Sequence, residues 1–321
     1  MILVTGGCGF IGSTLVKDLV ARGKKVRVFD DISRGRADRL RGVDVEIVSG
    51  DIRNLAQFEH ACMGVNEVIH LAFINGTKNF YEKPEVVLDV GVRGMLNVLD
   101  AMKKQGVGKL LLASSSEVYQ TPPTIPTGEQ VPLSLPDPYN PRYSYAAGKI
   151  ISEMLSLYAR HLSKLIIVRP HNVYGPDMGE EHVIPELARK IARGDVVEFV
   201  GDAVPTTMSG SRVFWGGTQT RAFCYIDDAV DGILIAKEKG NHREIYNVGN
   251  DEEVSIIDLA KRIAALGKGR VKFSQVETDA RVGGTLRRCP DISKLRALGY
   301  APKVSLDEGL GLAMEWYRKA A

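Results

Sequence analysis

The sequence of 321 residues has few cysteines, no long apolar run and almost no excess of either charge. The cysteines show no metal-ligand spacing, so we expect reduced thiols and no metal site; they are Cys8, Cys62, Cys224 and Cys289. No apolar run is long enough to span a membrane. With 42 basic and 39 acidic residues, the net charge of +3 gives no reason to expect a nucleic-acid or membrane partner.

The chain begins with the strand-like stretch MILVTGG rather than with a charged region followed by an apolar one. We therefore expect no secretory signal and a cytoplasmic location. A hydrophobic content of 44% and a charged content of 25% are typical of a globular protein. The length allows one large domain or two modest ones.

Short apolar runs alternate with helical patterns along the first half of the chain. The runs predict buried strands at 2–5, 25–30, 45–51, 67–72, 109–115 and 164–170, with helices such as 11–22 and 84–105 between them. Strands that are apolar throughout are typical of a parallel sheet covered by helices on both faces. The sequence therefore predicts an α/β fold with a doubly wound parallel sheet, the Rossmann arrangement.

The alternation weakens after Pro170, where short motifs rich in glycine and proline appear. Further helical patterns follow at 184–193, 227–237, 256–266 and 306–318. We predict a first domain at 1–170, to which the segment at about 222–248 returns. A smaller C-terminal domain is predicted at 171–221 and 249–321.

A glycine-rich turn joins the first predicted strand to the first helix. Gly6, Gly9 and Gly12 follow the spacing G-x-x-G-x-x-G. Positions without a side chain allow a tight turn and a close approach of the backbone to a pyrophosphate, which would lie at the helix N-terminus. The position of the motif between a strand and a helix is the context that it requires.

Two acidic residues end the next predicted strands. Asp30 lies 18 residues after Gly12, where a carboxylate would bind the adenosine ribose hydroxyls and disfavour a 2'-phosphate. The pattern therefore favours NAD, although the nearby Arg34 and Arg36 leave NADP open. Asp51, at the end of the third strand, is placed to meet the adenine.

The stretch RYSYAAGK, residues 142–149, holds two tyrosines and one lysine. The apolar pattern that follows predicts a helix over 146–162, on which residues four apart share a face. Tyr145 therefore aligns with Lys149, whereas Tyr143 does not. Stabilising a tyrosine phenolate near pH 7 requires roughly 4 kcal/mol. An ammonium about 6 Å away supplies roughly 3 kcal/mol at an effective dielectric near 20.

Eight motifs occur in order along the chain: TGGCGFIG, SGDI, HLA, SSSEVY, YAAGK, RPHNVYGP, TRAFCYIDD and YNVGN. Together they resemble the extended short-chain dehydrogenase/reductases, in particular the nucleotide-sugar epimerases, dehydratases and decarboxylases. The resemblance covers essentially the whole chain, including the C-terminal segment DISKLRALGYAPKVSLDEGL. It implies an enzyme that binds NAD and a nucleotide sugar.

The resemblance implies roles for three residues. Tyr145 would take a proton from a sugar hydroxyl while hydride passes from the same carbon to NAD. Lys149 would bond the nicotinamide ribose and lower the pKa of the tyrosine. Ser115 would bridge the substrate oxygen and Tyr145, whereas Ser114 and Ser116 are expected to cap the backbone or support the site.

Three positions bear on which reaction is catalysed. Glu117 resembles the functional glutamate of decarboxylases and some dehydratases, but a surface or hydrogen-bonded carboxylate fits the sequence equally well. Ser116 stands where dehydratases that use an Asp-Glu pair carry Asp, which argues against that subtype. Gly91 stands where relatives usually carry an asparagine near the sugar, so sugar specificity does not transfer directly.

The resemblance implies one set of residues for the cofactor and another for the substrate. The cofactor set is Gly6, Gly9, Phe10, Ile11, Gly12, Asp30, Asp51, Ile52, Leu71, Ala72, Lys149 and His171. The substrate set is Ser115, Asn172, Arg221 and Arg281, the last three beside the phosphates. His171 would lie beside the nicotinamide, with a packed, hydrogen-bonded histidine as the alternative.

The leading expectation is a nucleotide-sugar 4-epimerase that oxidises C4 transiently. The alternatives are a decarboxylase of a nucleotide-linked uronic acid or a 4,6-dehydratase, which use the same oxidation, and a non-catalytic NAD-sensing protein. Many enzymes that the chain resembles dimerise through a four-helix bundle that includes the tyrosine helix. We therefore expect a homodimer through the helical segments at 84–105 and 150–162.

Overall fold

A computed structural model describes residues 1–179, 182–194, 196–200, 213–215, 219–267, 269–274 and 285–320. Its strands are β1 Ile2–Thr5, β2 Val26–Asp30, β3 Glu46–Ser49, β4 Glu67–His70, β5 Lys109–Ala113, β6 Lys164–Pro170, β7 Val173–Tyr174, β8 Val196–Val200, β9 Val213–Trp215, β10 Thr220–Ala222, β11 Cys224–Tyr225, β12 Glu244–Val248, β13 Glu253–Ser255, β14 Arg270–Ser274 and β15 Arg287–Arg288. Its helices are α1 Phe10–Ala21, α2 Leu55–Ala61, α3 Thr77–Glu82, α4 Pro84–Lys104, α5 Ser144–Leu157, α6 Val183–Ala192, α7 Ile226–Lys239, α8 Ile256–Gly267, α9 Ser293–Arg296 and α10 Leu306–Ala320. Short 3-10 turns lie at Ala37–Leu40, Ser116–Tyr119 and Pro141–Tyr143.

Seven parallel strands of the described residues form the central sheet, in the order β12–β6–β5–β4–β1–β2–β3. The strand order reverses between β1 and β4, and apolar side chains of the buried strands fill the core on both faces. The predicted doubly wound parallel sheet is therefore confirmed. Its last strand, β12, comes from the segment that we expected to return to the first domain.

The strand β3 differs from the prediction of a buried strand. It lies at the edge of the sheet, with β2 as its neighbour on one side. Glu46, Ile47 and Ser49 are exposed as a result. An apolar run marks a strand, but it does not tell whether the strand is central or at the edge.

The helix α5 is shorter than the helix predicted at 146–162, and it packs on the protein through small and polar residues. The residues of α5 that are buried are small or polar, and they include Gly148, Ser152, Glu153 and Ser156. Apolar residues of the stretch that we expected to contribute to a dimer interface are exposed in the single chain, and they include Ile151, Met154 and Tyr158. The reason lies in the close packing against α4, where the Ser152 hydroxyl donates to the Gly91 carbonyl at 3.0 Å.

A buried ion pair joins α5 to the central sheet. Arg169 of β6 donates to both carboxylate oxygens of Glu153, at 2.9 and 2.6 Å. The two side chains are 2% and 3% exposed. Arg169 also donates to the Tyr119 hydroxyl at 2.9 Å and to the Glu129 carbonyl at 3.1 Å. The guanidinium is thus bound on several sides, as a buried charge requires.

The smaller sheets lie after Pro170. The strand β10 pairs antiparallel with β13 and parallel with β15, which places Arg221 opposite Arg288. The strand β8 pairs in parallel with β9 and β14, and β7 pairs with β11. No helix in the described part of the chain is long and apolar enough to cross a membrane.

Candidate active site

A cleft of about 410 Å³ opens at the carboxyl ends of the strands around the reversal of strand order. Open parallel sheets bind ligands at this point. The predicted residues that line the cleft are Gly6, Gly9, Phe10, Ile11, Gly12, Asp30, Asp51, Ile52, Leu71, Ala72, Ser115, Glu117, Tyr145, Lys149 and Asn172. The predicted residues His171 and Arg221 are not among the lining residues, and Arg281 lies outside the described residues.

The glycine turn forms one wall of the cleft. Gly6 has a φ of +69°, which strains any residue with a side chain. A Cβ atom on Gly12 would lie 2.1 Å from the Gly6 carbonyl oxygen, so the first turn of α1 closes only on glycine. The backbone is thereby exposed to a ligand at the N-terminus of α1, an arrangement that suits a phosphate group.

Asp30 ends β2 with a carboxylate that is only 7% exposed. Its oxygens accept hydrogen bonds from the backbone N–H groups of Cys8 and Ile32, each at 2.9 Å. Burial raises the pKa of this carboxyl, while the two N–H groups act to lower it. Each oxygen retains a lone pair, so the side chain can also accept from two hydroxyl groups in the cleft.

Asp51 lines the same cleft, but its carboxylate already has a partner. Arg53 donates to it from Nη2 at 2.6 Å and from Nε at 2.9 Å. The hydrogen bond from Arg53 also lowers the pKa of Asp51. A contact between Asp51 and adenine remains a prediction, and this ion pair would compete with it.

Tyr145 and Lys149 lie one turn apart on α5 and are 7% and 3% exposed. Burial raises the pKa of Tyr145 to about 12, against a hydrogen bond with Ser115 that lowers it. The Lys149 ammonium donates to the Ala113 carbonyl at 2.6 Å, and burial lowers its pKa to about 7 while Glu153 opposes this. We expected Lys149 to lower the pKa of Tyr145. In the protein by itself, the increase caused by burial is larger than any such lowering.

Ser115 has a second role that the sequence did not indicate. Its hydroxyl accepts from the Glu117 N–H at 3.2 Å and so caps the 3-10 turn at Ser116–Tyr119. We had expected Ser114 or Ser116 to provide such a cap. Both are buried, and the Ser114 hydroxyl has no hydrogen-bond partner among the described residues. The cap holds Ser115 beside Tyr145.

Two aromatic rings enclose Tyr145. Phe80 of α3 stacks on it, with ring centroids 4.9 Å apart, and Phe73 meets it edge to face at 5.0 Å. A Cβ atom on Gly91 would lie 2.7 Å from the Phe73 ring. Gly91 stands where the enzymes that the chain resembles usually carry an asparagine. The missing side chain therefore makes room for the Phe73 ring.

Glu117 forms an ion pair inside the cleft. Arg288 of β15 donates to it at 2.5 Å, and both residues line the cleft. Burial acts to raise the pKa of Glu117, but the charges of Arg288, Arg142 and Arg221 lower it to about 2. The carboxylate is thus ionised at neutral pH and is a weak base while Arg288 holds it.

The predicted substrate residues are placed differently from one another. Asn172 lines the cleft, and its amide donates to the Ala222 carbonyl at 2.8 Å. The guanidinium of Arg221 donates to main-chain carbonyls, at 2.7 Å to Thr220 and 2.8 Å to Thr285. Burial lowers the pKa of Arg221 to about 9. Arg221 therefore binds main-chain carbonyls beside β10 and β15 and is not among the residues that line the cleft, although its charge acts on Glu117 there.

His171 takes the packed alternative. It is fully buried, with Nε2 3.2 Å from the Asn247 amide oxygen and its ring 5.9 Å from that of Tyr119. Burial lowers the pKa of this imidazole to about 3. The structure therefore does not bring His171 to the cleft where the cofactor residues meet.

Phe73, Phe80 and Arg288 are the residues of this site that sequence reasoning missed. The two phenylalanines occur in the stretch AFINGTKNFY, between the HLA motif and α4. Their contacts with α5 arise only from tertiary packing. Arg288 directly precedes the CPDIS stretch, and its approach to Glu117 depends on the pairing of β15 with β10.

The model of the NAD-dependent epimerase/dehydratase family matches residues 2–249. The chain belongs to this family. Its relatives span nearly its whole length and carry different activities. A UDP-N-acetyl-alpha-D-glucosaminuronate decarboxylase of Bacillus cytotoxicus is 32% identical over 331 residues, covering 99% of this chain and 97% of that protein. A UDP-glucose 4-epimerase of Mycolicibacterium smegmatis is also 32% identical, covering 98% of each.

Solved structures agree with the family assignment. A dTDP-glucose 4,6-dehydratase of Streptomyces venezuelae, determined with NAD bound, has a TM-score of 0.85 and 29% identity. The alignment covers 99% of this chain and 97% of that one. As a member of this NAD-dependent family, the present protein has NAD as its cofactor. The glycine turn and the buried Asp30 carboxylate are features of its cleft that fit NAD. The relatives share the family and differ in reaction.

Proposed function

We propose that this protein is an NAD-dependent nucleotide-sugar 4-epimerase. The observation that carries the proposal is the meeting of Ser115, Tyr145 and Lys149 in the cleft that also holds the glycine turn and Asp30. We further propose that residues 1–170, with about 222–248, bind the cofactor. The segments at 171–221 and 249–321 would bind the nucleotide sugar.

The chain supplies the proton transfer of this reaction. Ser115 and Tyr145 hold O4 of the sugar between their hydroxyl oxygens, and Tyr145 accepts its proton. NAD, when bound, supplies the hydride acceptor at C4 and a positive ring charge. Lys149 adds its own charge beside Tyr145, which offsets the effect of burial on the tyrosine. After the 4-keto sugar turns in the cleft, C4 would recover a hydride on its opposite face while Tyr145 returns the proton to O4, so no net oxidation occurs.

The state of Glu117 favours epimerisation over dehydration. A 4,6-dehydratase needs an additional base near C5, whereas Glu117 is held ionised by Arg288 with a pKa of about 2. A carboxylate of such low basicity accepts a proton poorly. A 4-epimerase needs no base besides Tyr145.

Decarboxylation of a nucleotide-linked uronic acid is the second candidate, and Arg288 is the observation that favours it. Arg288 lines the cleft, and its Nε atom is buried without a hydrogen-bond partner among the described residues. The guanidinium, which is paired with Glu117 in this structure, can pair instead with a substrate carboxylate in the cleft. Once C4 is a ketone, the C5–C6 bond breaks, CO₂ leaves and the bond electrons pass into the ketone.

A panel of nucleotide sugars, followed by proton NMR, separates the candidates. We expect nucleotide-linked hexoses such as UDP-glucose to give their 4-epimers, with all six sugar carbons retained. A pentose product with release of CO₂, formed only from a uronic acid, would replace the first proposal by the second. NAD binding without turnover of any sugar would contradict both and support the non-catalytic alternative.

We predict a strong preference for NAD over NADP. Asp30 and Arg34 both line the cleft, and of the other arginines nearby, Arg36 and Arg39 are bound to Asp177 at 2.8 Å. A 2'-phosphate about 6 Å from the carboxylate would cost roughly 3 kcal/mol, which is about a hundredfold in affinity. Calorimetric titration measures the ratio of the affinities for NAD and NADP. Asp30→Asn should reduce this ratio, because it keeps the shape of the side chain and removes its negative charge. Equal affinities in the unchanged protein would contradict the prediction.

We also predict a homodimer formed through α4 and α5. Met154 of α5 is 54% exposed, and Tyr158, the residue after the end of α5, is 78% exposed. Both side chains are large and mostly apolar, so a partner surface would be expected to cover them. Leu96 of α4 is also exposed. Light scattering should give twice the chain mass at micromolar concentration, and Met154→Asp should give the monomer. Leu312→Asp, at an exposed apolar residue of α10, is the matched control and should leave the dimer intact.

A further inference from the structure

We propose that Phe73 is a positioning residue, whose ring holds the Lys149 ammonium and fixes the Tyr145 ring against Phe80. The proposal rests on the catalytic roles assigned above to Tyr145 and Lys149. Phe73 would act through these two residues rather than on the sugar itself. Its ring would thereby help to keep Lys149 charged in a buried site.

The contact between Phe73 and Lys149 is close, and the lysine is almost fully buried. The ammonium nitrogen lies 4.0 Å from the centroid of the Phe73 ring, compared with 5.8 Å from that of Tyr145. Lys149 is 3% exposed, and its ammonium donates a hydrogen bond to the Ala113 carbonyl. A cation within about 6 Å of an aromatic face is attracted by the ring quadrupole, most strongly where water is excluded.

The Phe73 ring is held in place by a notch between α4 and α5. A Cβ atom on Gly91 would come within 2.7 Å of the ring, and one on Gly148 within 3.0 Å. Gly91 belongs to α4 and Gly148 to α5, so both helices leave room for the ring at this height. Close packing on this side fixes the orientation of the ring relative to Lys149.

Phe73 and Phe80 have separable contacts. Phe80 stacks on Tyr145 with an interplanar angle of 27°, whereas Phe73 meets Tyr145 edge to face at 79°. Among the described residues, the rings near the Lys149 ammonium are those of Phe73 and Tyr145. Phe80 therefore supports Tyr145 but not Lys149, and a replacement of Phe80 provides a matched control.

Other charged groups near Lys149 are accounted for. Glu153, one turn further along α5, acts to raise the pKa of Lys149, and it is bound by Arg169. His70 at the end of β4 is fully buried, which lowers its pKa, and the charge of Lys149 lowers it further. Burial brings the pKa of Lys149 to about 7. Because the Phe73 ring favours the charged form, weakening it should lower this pKa further.

The test replaces Phe73 by phenylalanines with one, two and three ring fluorines, in the NAD-bound protein. Fluorine weakens the ring quadrupole with little change of volume, so the pKa of Lys149 should fall in steps. Phe73→Leu should lower it by about half a unit to one unit. The pKa is followed by the ¹³Cε signal of labelled lysine, which Lys149→Met assigns, and by the alkaline limb of the kcat/KM profile.

Phe80→Leu is the control and should leave the Lys149 pKa where it is. The proposal is overturned if the fluorinated series leaves this pKa unchanged, or if Phe80→Leu lowers it as much as Phe73→Leu. The lysine signal needs no turnover, so it reports on Phe73 even if the protein proves inactive on every sugar. The fluorinated variants are nearly isosteric and keep the test valid if Phe73→Leu fails to fold.

Discussion

Replacing Tyr145 by phenylalanine should reduce turnover by about 10²- to 10⁴-fold. The change removes only the hydroxyl that accepts the proton from the sugar, while the ring remains between Phe73 and Phe80. The fold should therefore survive. Steady-state kinetics on the nucleotide sugar that proves active, with circular dichroism as a check of folding, measure the effect.

Tyr143 provides the matched control for this change. It is buried at the end of the turn before α5 and is not among the residues that line the cleft. Tyr143→Phe should leave turnover within about tenfold, below the usual contribution of a general base. If Tyr143→Phe were inactive and Tyr145→Phe active, the base would have to be reassigned.

Lys149→Met should also damage turnover, and it has a distinct pH signature. Removal of the ammonium takes away a positive charge that favours the phenolate, so the pKa of Tyr145 rises. The rising limb of the activity–pH profile should then move to higher pH or disappear. An unchanged limb in this variant would show that Lys149 does not act on the tyrosine.

Replacing Arg169 by methionine should lower the free energy of unfolding by about 3–5 kcal/mol. The change leaves the Glu153 carboxylate buried without the two hydrogen bonds that now bind it, at 2.9 and 2.6 Å. It also removes the donor to the Tyr119 hydroxyl. Urea unfolding, followed by fluorescence, measures the loss.

The exposed ion pair of Arg296 with Asp251 is the control for this prediction. Its atoms are 2.7 Å apart, but both side chains are substantially exposed. Arg296→Met should cost less than about 1 kcal/mol, because solvent screens such a pair. Adding Glu153→Gln to Arg169→Met should recover part of the loss. Equal costs for the two arginine changes would refute the argument from burial.

Features that depend on local spacing were predictable from the sequence. The glycine turn between β1 and α1, Asp30 at the end of β2, and the four-residue spacing of Tyr145 and Lys149 all follow from short-range geometry. The alternation of apolar runs with helical patterns was enough to predict the doubly wound sheet. These features involve neighbours along the chain, so their physical causes can be read within a window of a few turns.

Only the tertiary structure decided which distant side chains meet and which faces are covered. Arg288 reaches Glu117 across 171 positions of the chain because β15 pairs with β10. The helix α5 buries its serines and exposes Met154 because α4 approaches too closely for larger side chains. Phe73 reaches Lys149 because glycines on two helices leave a notch for its ring. In each case the outcome depends on how close two segments come, and close packing between segments remote in sequence sets that distance.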